Sequence, residues 1–192
     1  MFPEYLETDR LELHRLDDYV TPLDYYEVCA HDPGIDEVTA YMPWAPHDSP
    51  KETKEFLDEV TERWENGEGV DYALVETESG ELAGCGGFGI DWDRKAASLG
   101  CWLRKPYWGN GYSGERADAL IELAFETLDL DCVEVTHNAE NEKSRRAIEK
   151  YVERNGGQRD GVARHALAYG DGSVSDEVRY TVLREEYEAA RG

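Results

Sequence analysis

No run of about 18 consecutive apolar residues, the length a bilayer span requires, occurs in this chain of 192 residues. Its first residues, MFPEYLETDR, carry neither the basic stretch nor the apolar segment of a secretory leader. Both absences point to a soluble, cytoplasmic protein with no membrane partner. Cysteine is sparse: Cys29, Cys85, Cys101 and Cys132 are widely spaced, with no C-x-x-C pair and no paired histidines. That pattern argues against a metal site or a disulfide framework and for four reduced, mostly buried thiols. Lysine is scarce too, supplying six of 20 basic residues against 43 acidic ones, for a net charge of −23. A field of that sign repels nucleic acid, whose binding depends on cationic neutralisation. Internal repeats, low-complexity tracts and long linkers are all missing, so one domain over residues 1–192 is expected, large enough to bury a core unaided.

What is present is order. So acidic a chain would be disordered if it lacked apolar pattern, but 11% aromatic residues and clear periodicity exclude this. The composition suits a high-salt cytoplasm, where the Debye length falls to about 3 Å or less and self-repulsion is screened. LELHRL (11–16) alternates as a half-buried strand. Thr21-Pro22 opens one helix with a cap and a first-turn proline, and Ser49-Pro50-Lys51-Glu52 opens a second with a capping-box pattern. The second shows an apolar face at Phe56, Leu57, Val60 and Trp64. Strands are expected at 70–76, 81–90 and 97–104, separated by hairpin loops. After WGNGYSGE (108–115), Ala117, Leu120, Ile121, Ala124 and Leu128 form one helical stripe. A strand at 132–137, a helix from about 142 to 155 and a final hairpin of strands 162–169 and 177–183 complete the chain. Strand, glycine loop, helix and strand make a βαβ unit inside a mixed α/β sheet.

The glycine loop precedes a helix whose first N–H groups lack internal partners and carry the positive end of the dipole, so it is suited to an anion. No G-K-[ST] completes a P-loop, and the loop lies far from the first strand, where a dinucleotide fold carries its fingerprint. Arg104, Lys105 and Arg116 bracket it, and Lys143, Arg145 and Arg146 cluster at the next helix start; in so acidic a chain these two basic islands suit a polyphosphorylated ligand.

GCWLRKPYWGNGYSGE, the helix ending AFETL, the strand CVEVTH and the run NEKS, in that order, resemble the acetyl-CoA-binding segment of the GNAT N-acetyltransferase superfamily, in its RimJ/RimL branch. The likeness extends to TDRLELHRL at the start and GDGSVSDEVRYTVLREEY at the end. It implies the GNAT acyl-CoA N-acyltransferase fold: a central mixed sheet with a splayed parallel strand pair and flanking helices. It also implies acetyl-CoA as cosubstrate and an amine acceptor, in this branch a protein N-terminus; a small-molecule amine and a catalytically silent acyl-CoA-binding domain are the alternatives. The oligomeric state, a homodimer included, is left open.

By the same resemblance, Trp108, Gly109, Asn110, Gly111, Tyr112, Ser113 and Gly114 form the pyrophosphate loop, with Ser113 a small departure from the usual Gly or Ala. The pantetheine arm would pair with backbone of Trp102, Leu103 and Arg104 in the splay, and Asn141 and Ser144 would face it. Ser144 is the first candidate for the acid that protonates the departing thiolate. The family tyrosine seven residues after the asparagine is replaced by Ile148, leaving Tyr151, one turn on, as a second. His137 is a candidate base, as are Asp91, Asp93 or a water chain. Tyr25, Tyr26, Tyr41 and Trp44 are expected in the core rather than lining the acceptor pocket.

Overall fold

The computed structural model describes all 192 residues. Eight strands form one sheet: β1 (Tyr5–Glu7), β2 (Leu11–Arg15), β3 (Gly69–Glu76), β4 (Leu82–Asp91), β5 (Ala96–Leu103), β6 (Cys132–Asn138), β7 (Gln158–Ala168) and β8 (Val174–Leu183). Their spatial order is β1-β2-β3-β4-β5-β6-β8-β7, and only β5 and β6 run parallel. The first five strands are an antiparallel series, and β6, β8 and β7 form a second antiparallel group.

The helices are α1 (Leu16–Tyr19), α2 (Pro22–His31), α3 (Ile35–Thr39), α4 (Pro50–Asn66), α5 (Tyr112–Glu122), α6 (Glu142–Arg154) and α7 (Arg184–Arg191). Thr21 caps α2 by accepting the Asp24 N–H, with Pro22 in the first turn. Ser49 accepts the Glu52 N–H at the start of α4, but the Glu52 carboxylate reaches back to the N–H of Asp48, so the box is offset by one residue from the expected S-x-x-E reciprocity. Gly67, at φ +72°, closes α4 in the left-handed conformation that glycine adopts without strain.

Two apolar layers sandwich the sheet. Leu16, Tyr25, Cys29, Leu57 and Val60 pack with Ala73 and Cys85 on one face. The larger core holds Ala117, Leu120, Ile121 and Phe125 of α5 and its continuation, Val152 of α6 and Tyr187 of α7 over Leu99, Val133 and Val135. The last turn of α5 widens into a π-helical segment, Leu123–Thr127, which still buries Leu123, Ala124 and Phe125.

Several boundaries differ from those the sequence suggests. β7 begins at Gln158 rather than 162, because Gln158 and Arg159 already pair with Thr181 and Tyr180; β8 begins at Val174 rather than 177. The short elements β1, α1 and α3 and the terminal α7 had no periodic signal long enough to predict them. Tyr25 is core, but Tyr41 is exposed, and Tyr26 and Trp44 are half-buried. The expectation of core fails for Tyr41 because it follows the five-residue α3 and lines an open cleft opposite the β7–β8 hairpin.

Candidate active site

β5 and β6 are in register only from Ala96 to Leu99 and from Cys132 to Val135. Beyond that point β5 stays paired with β4 out to Leu103, and β6 stays paired with β8 out to Asn138. Their facing edges therefore diverge into a wedge open at the carboxyl ends of the parallel pair, the end where α/β sheets bind ligands. Arg104 donates its N–H to Ala83 of β4. Alternation along the strand then turns the Trp102 backbone toward β4 as well, leaving Cys101 and Leu103 to face the wedge. This corrects the expectation that Trp102 through Arg104 all present free backbone. The Leu103 carbonyl is also engaged, accepting the Trp108 indole N–H at 2.7 Å.

The loop after β5 is built to leave donors free. Gly109 and Gly111 take φ +81° and +86°, and neither has an atom other than an Arg10 nitrogen within 4 Å of where a Cβ would stand. Gly111 is the N-cap of α5 and brings no side-chain cap. The N–H groups of Gly109, Asn110, Gly111, Tyr112 and Ser113 thus have no acceptor within the protein, whereas those of Gly114 and Glu115 bond the Gly111 carbonyl. Successive free amides at a helix N-terminus form an anion-binding concavity. Gly114, expected among the donors, is therefore already engaged, and a Cβ there would meet α6 at no more than ordinary contact, 3.9 Å from that of Tyr151.

Sequence reasoning missed what holds this loop. Glu115 accepts the Thr8 hydroxyl at 2.6 Å, the Arg10 N–H at 2.7 Å and the Arg10 Nε–H at 2.8 Å, and Arg10 Nη1 donates to the Asn110 carbonyl at 2.9 Å. Partial burial pushes the Glu115 carboxyl up, but these hydrogen bonds outweigh it and hold the group below the usual carboxylate range. The TDR ahead of β2 therefore braces a loop a hundred residues away.

The basic islands are only partly free. Arg104 pairs with Asp32 at 2.6 Å, Lys105 with Glu37, and Arg145 with Glu142 at 2.6 Å, while Arg116 is buried. Lys143, over the Trp108 ring at 4.1 Å, and Arg146 make no ion pair, so the open cationic charge belongs to α6.

Asn141 caps α6, its side-chain oxygen accepting the Ser144 N–H at 3.0 Å. The half-buried Ser144 keeps its hydroxyl clear of any protein partner. Tyr151 is 1% exposed and faces Arg116, Cys101 and Asp118; burial pushes its hydroxyl well up, and the Arg116 charge opposes that. His137 does not fit the base expected of it: Nδ1–H donates to the Asn138 carbonyl at 2.7 Å, and Nε2 accepts from Tyr180 at 3.3 Å, so neither nitrogen is free. Asp91 and Asp93 sit in the β4–β5 hairpin, at the far end of β5 from the wedge. No group of three or more His, Cys, Asp or Glu side chains is placed to hold a metal, and no helix is long and apolar enough to cross a membrane.

Past the tip of β6 a cleft of about 640 Å³ opens between Tyr41, Asn138, Glu140 and the Tyr169, Ser175 and Asp176 of the β7–β8 hairpin. Asn138 ties these together, donating to Tyr169 at 2.6 Å and Ser175 at 3.0 Å.

Residues 10–151 match the acetyltransferase (GNAT) domain family. The chain belongs to the GNAT acetyltransferases. In this acetyltransferase the wedge, the glycine loop and the βαβ unit all fall within the matched span. It is 26% identical over 185 residues to the uncharacterized N-acetyltransferase p20 of Bacillus licheniformis, covering 96% of this chain and 98% of that one. Over 102 residues, 53% of each chain, it is 33% identical to the putative ribosomal N-acetyltransferase YdaF of Bacillus subtilis strain 168, in keeping with the RimJ/RimL likeness. Its fold matches the microcin C7 self-immunity acetyltransferase MccE, a crystal structure in complex with acetyl-CoA and AMP, with a TM-score of 0.80 at 18% identity over 95% of this chain and 97% of that one.

Proposed function

We propose that this acetyltransferase moves the acetyl group of acetyl-CoA directly to a primary amine, best a peptide or protein N-terminus. The observation that carries the reading is the run of five unpartnered amides from Gly109 to Ser113 beside a wedge of unpaired strand edge. The first suits a pyrophosphate, and the second suits an extended arm bearing amides. The acetyl-CoA bound to MccE supports the cosubstrate, and the ribosomal assignment of YdaF supports a protein acceptor.

In this reading the amine enters through the cleft at Asn138 and meets the acetyl group in the wedge. Alignment of the two reactants supplies most of the acceleration, on the order of 7–11 kcal/mol in well-oriented intramolecular reactions. Backbone N–H of Cys101 or Leu103 polarises the carbonyl as negative charge develops on its oxygen. Tyr151 or Ser144 returns a proton to the sulfur, and a water chain rather than His137 removes one from the amine. The cysteines have no nucleophilic role, since attack is direct.

Thiol release from acetyl-CoA with a panel of N-terminal peptides, small amines and polyamines in molar KCl tests this. Turnover on peptides is the expected result. Turnover confined to small amines replaces the acceptor, CoA binding without turnover makes this a silent binding domain, and no CoA binding removes the reading. Within an active enzyme, Ser144→Ala and Tyr151→Phe decide the acid: the true donor loses at least about tenfold in kcat, the other less than about threefold.

A further inference from the structure

The cleft past the tip of β6 holds a hydrogen-bond network whose protons can be counted. Asn138 is buried, and its Oδ1 accepts the Glu140 N–H at 2.8 Å. A backbone N–H can only donate, so this bond fixes which way round the amide sits. Its NH2 group therefore faces the β7–β8 hairpin, donating one proton to the Tyr169 hydroxyl at 2.6 Å and the other to that of Ser175 at 3.0 Å. The two hydroxyl oxygens also lie 3.1 Å apart, a contact that uses one of their two protons. Whichever hydroxyl donates there, the other keeps a proton with no acceptor in the protein, and both residues line the cleft. The network thus presents one spare hydroxyl donor, held in place by Asn138, to whatever enters.

That donor stands at the mouth of the wedge. One wall of the cleft is Tyr41, just after α3. Two ion pairs tie this region to the segment that follows β5: Glu37 with Lys105, and Asp32 with Arg104 at 2.6 Å. The other wall is the hairpin, joined to β6 through Asn138. The cleft therefore bridges the β5 and β6 sides, whose edges part beyond Leu99 and Val135. Glu140 and Asp176 also line it, but their charge attracts every cationic amine alike and is screened in strong salt. A hydroxyl donor is more selective. In an N-terminal residue a single carbon separates the amine from a carbonyl, whereas lysine side chains and polyamines carry only methylenes there.

We infer that the Tyr169–Ser175 hydroxyl pair, oriented by Asn138, determines acceptor specificity by donating a hydrogen bond to the first carbonyl oxygen of a peptide whose N-terminal amine is acetylated. This rests on the peptide-acceptor reading above and names the groups that enforce it. A site that hydrogen-bonds a substrate group rejects the analogue lacking that group, because its own donor is left unpaired. Asn138 acts through the two hydroxyls and is a positioning residue.

The test is a double-mutant cycle across enzyme and substrate, run with the full-length protein in molar KCl. Two acceptors are compared: a tetrapeptide, and its isostere in which a trans alkene replaces the first peptide bond and so deletes only the carbonyl. For the wild type, kcat/KM is expected to fall about five- to tenfold from peptide to isostere, the scale of one hydrogen bond. In Tyr169→Phe/Ser175→Ala the two acceptors should differ by less than about twofold, with KM for acetyl-CoA within about threefold of wild type. Tyr169→Phe and Ser175→Ala, each keeping one hydroxyl, should fall between, and they carry the test if the double variant does not fold. The same peptide-to-isostere ratio in wild type and variants, or equal losses on both acceptors, overturns the inference and leaves the hydroxyls as hairpin supports. A wild type that acetylates propylamine but neither peptide defeats the peptide-acceptor reading, and this inference with it; one that acetylates no amine defeats the acetyl-transfer reading itself.

Discussion

Arg10 shows how much one side chain can carry when its partners are far along the chain. It is half exposed, yet it bonds Glu115 and the Asn110 carbonyl together. Removing it frees the loop rather than unfolding the protein. Arg10→Ala is therefore expected to raise KM for acetyl-CoA by about tenfold, the scale of one charge-assisted hydrogen bond, with Tm nearly unchanged; steady-state kinetics and a thermal melt check both halves. Cys29 makes a different residue-level statement. Burial pushes its thiol from 9.0 up to about 12, so the unfolded chain loses this proton first as pH rises. Its contribution to stability is intact below pH 9 and declines between about 9 and 12, at up to about 1.4 kcal/mol per pH unit. Urea melts of wild type and Cys29→Ala from pH 8 upward should show the variant with the shallower alkaline decline, on the order of 1 kcal/mol per unit less.

Among the elements, the glycine loop is the most sensitive to a single methyl. Gly111→Ala forces a side chain into φ +86° at the N-cap of α5. That strain costs about 1–2 kcal/mol, and the re-aimed amides should weaken CoA binding by about tenfold or more, readable by calorimetry. The loop was legible from the sequence because glycines placed between a strand and an amphipathic stripe leave few alternatives, as were α4, α5 and the five central strands. What escaped were contacts with no local periodicity: the Thr8–Arg10–Glu115 brace, joined across 105 residues, and the short α3. Arg116 had a visible signal that its charge disguised. It sits four residues before Leu120 on the apolar stripe of α5, a spacing that turns it inward rather than toward solvent. His137 read as a poised strand-end imidazole, since nothing in a sequence shows that Tyr180 comes to lie under it.

At the scale of the whole molecule, the net charge of −23 sets the conditions under which all of this works. Most arginines and lysines are paired with carboxylates, so the excess charge is acidic and repels itself across the surface. Tm is expected to climb by about 10 °C or more from low salt to multimolar KCl as screening shortens to about 3 Å; a flat or falling curve refutes a high-salt adaptation. The sheet adds a mechanical consequence. Its two antiparallel groups touch through only four register pairs, Ala96–Leu99 against Cys132–Val135. A cosubstrate wedged beyond that seam would grip both groups at once and act as a removable rivet. Amide hydrogen exchange in β5 and β6 should then slow together on adding CoA.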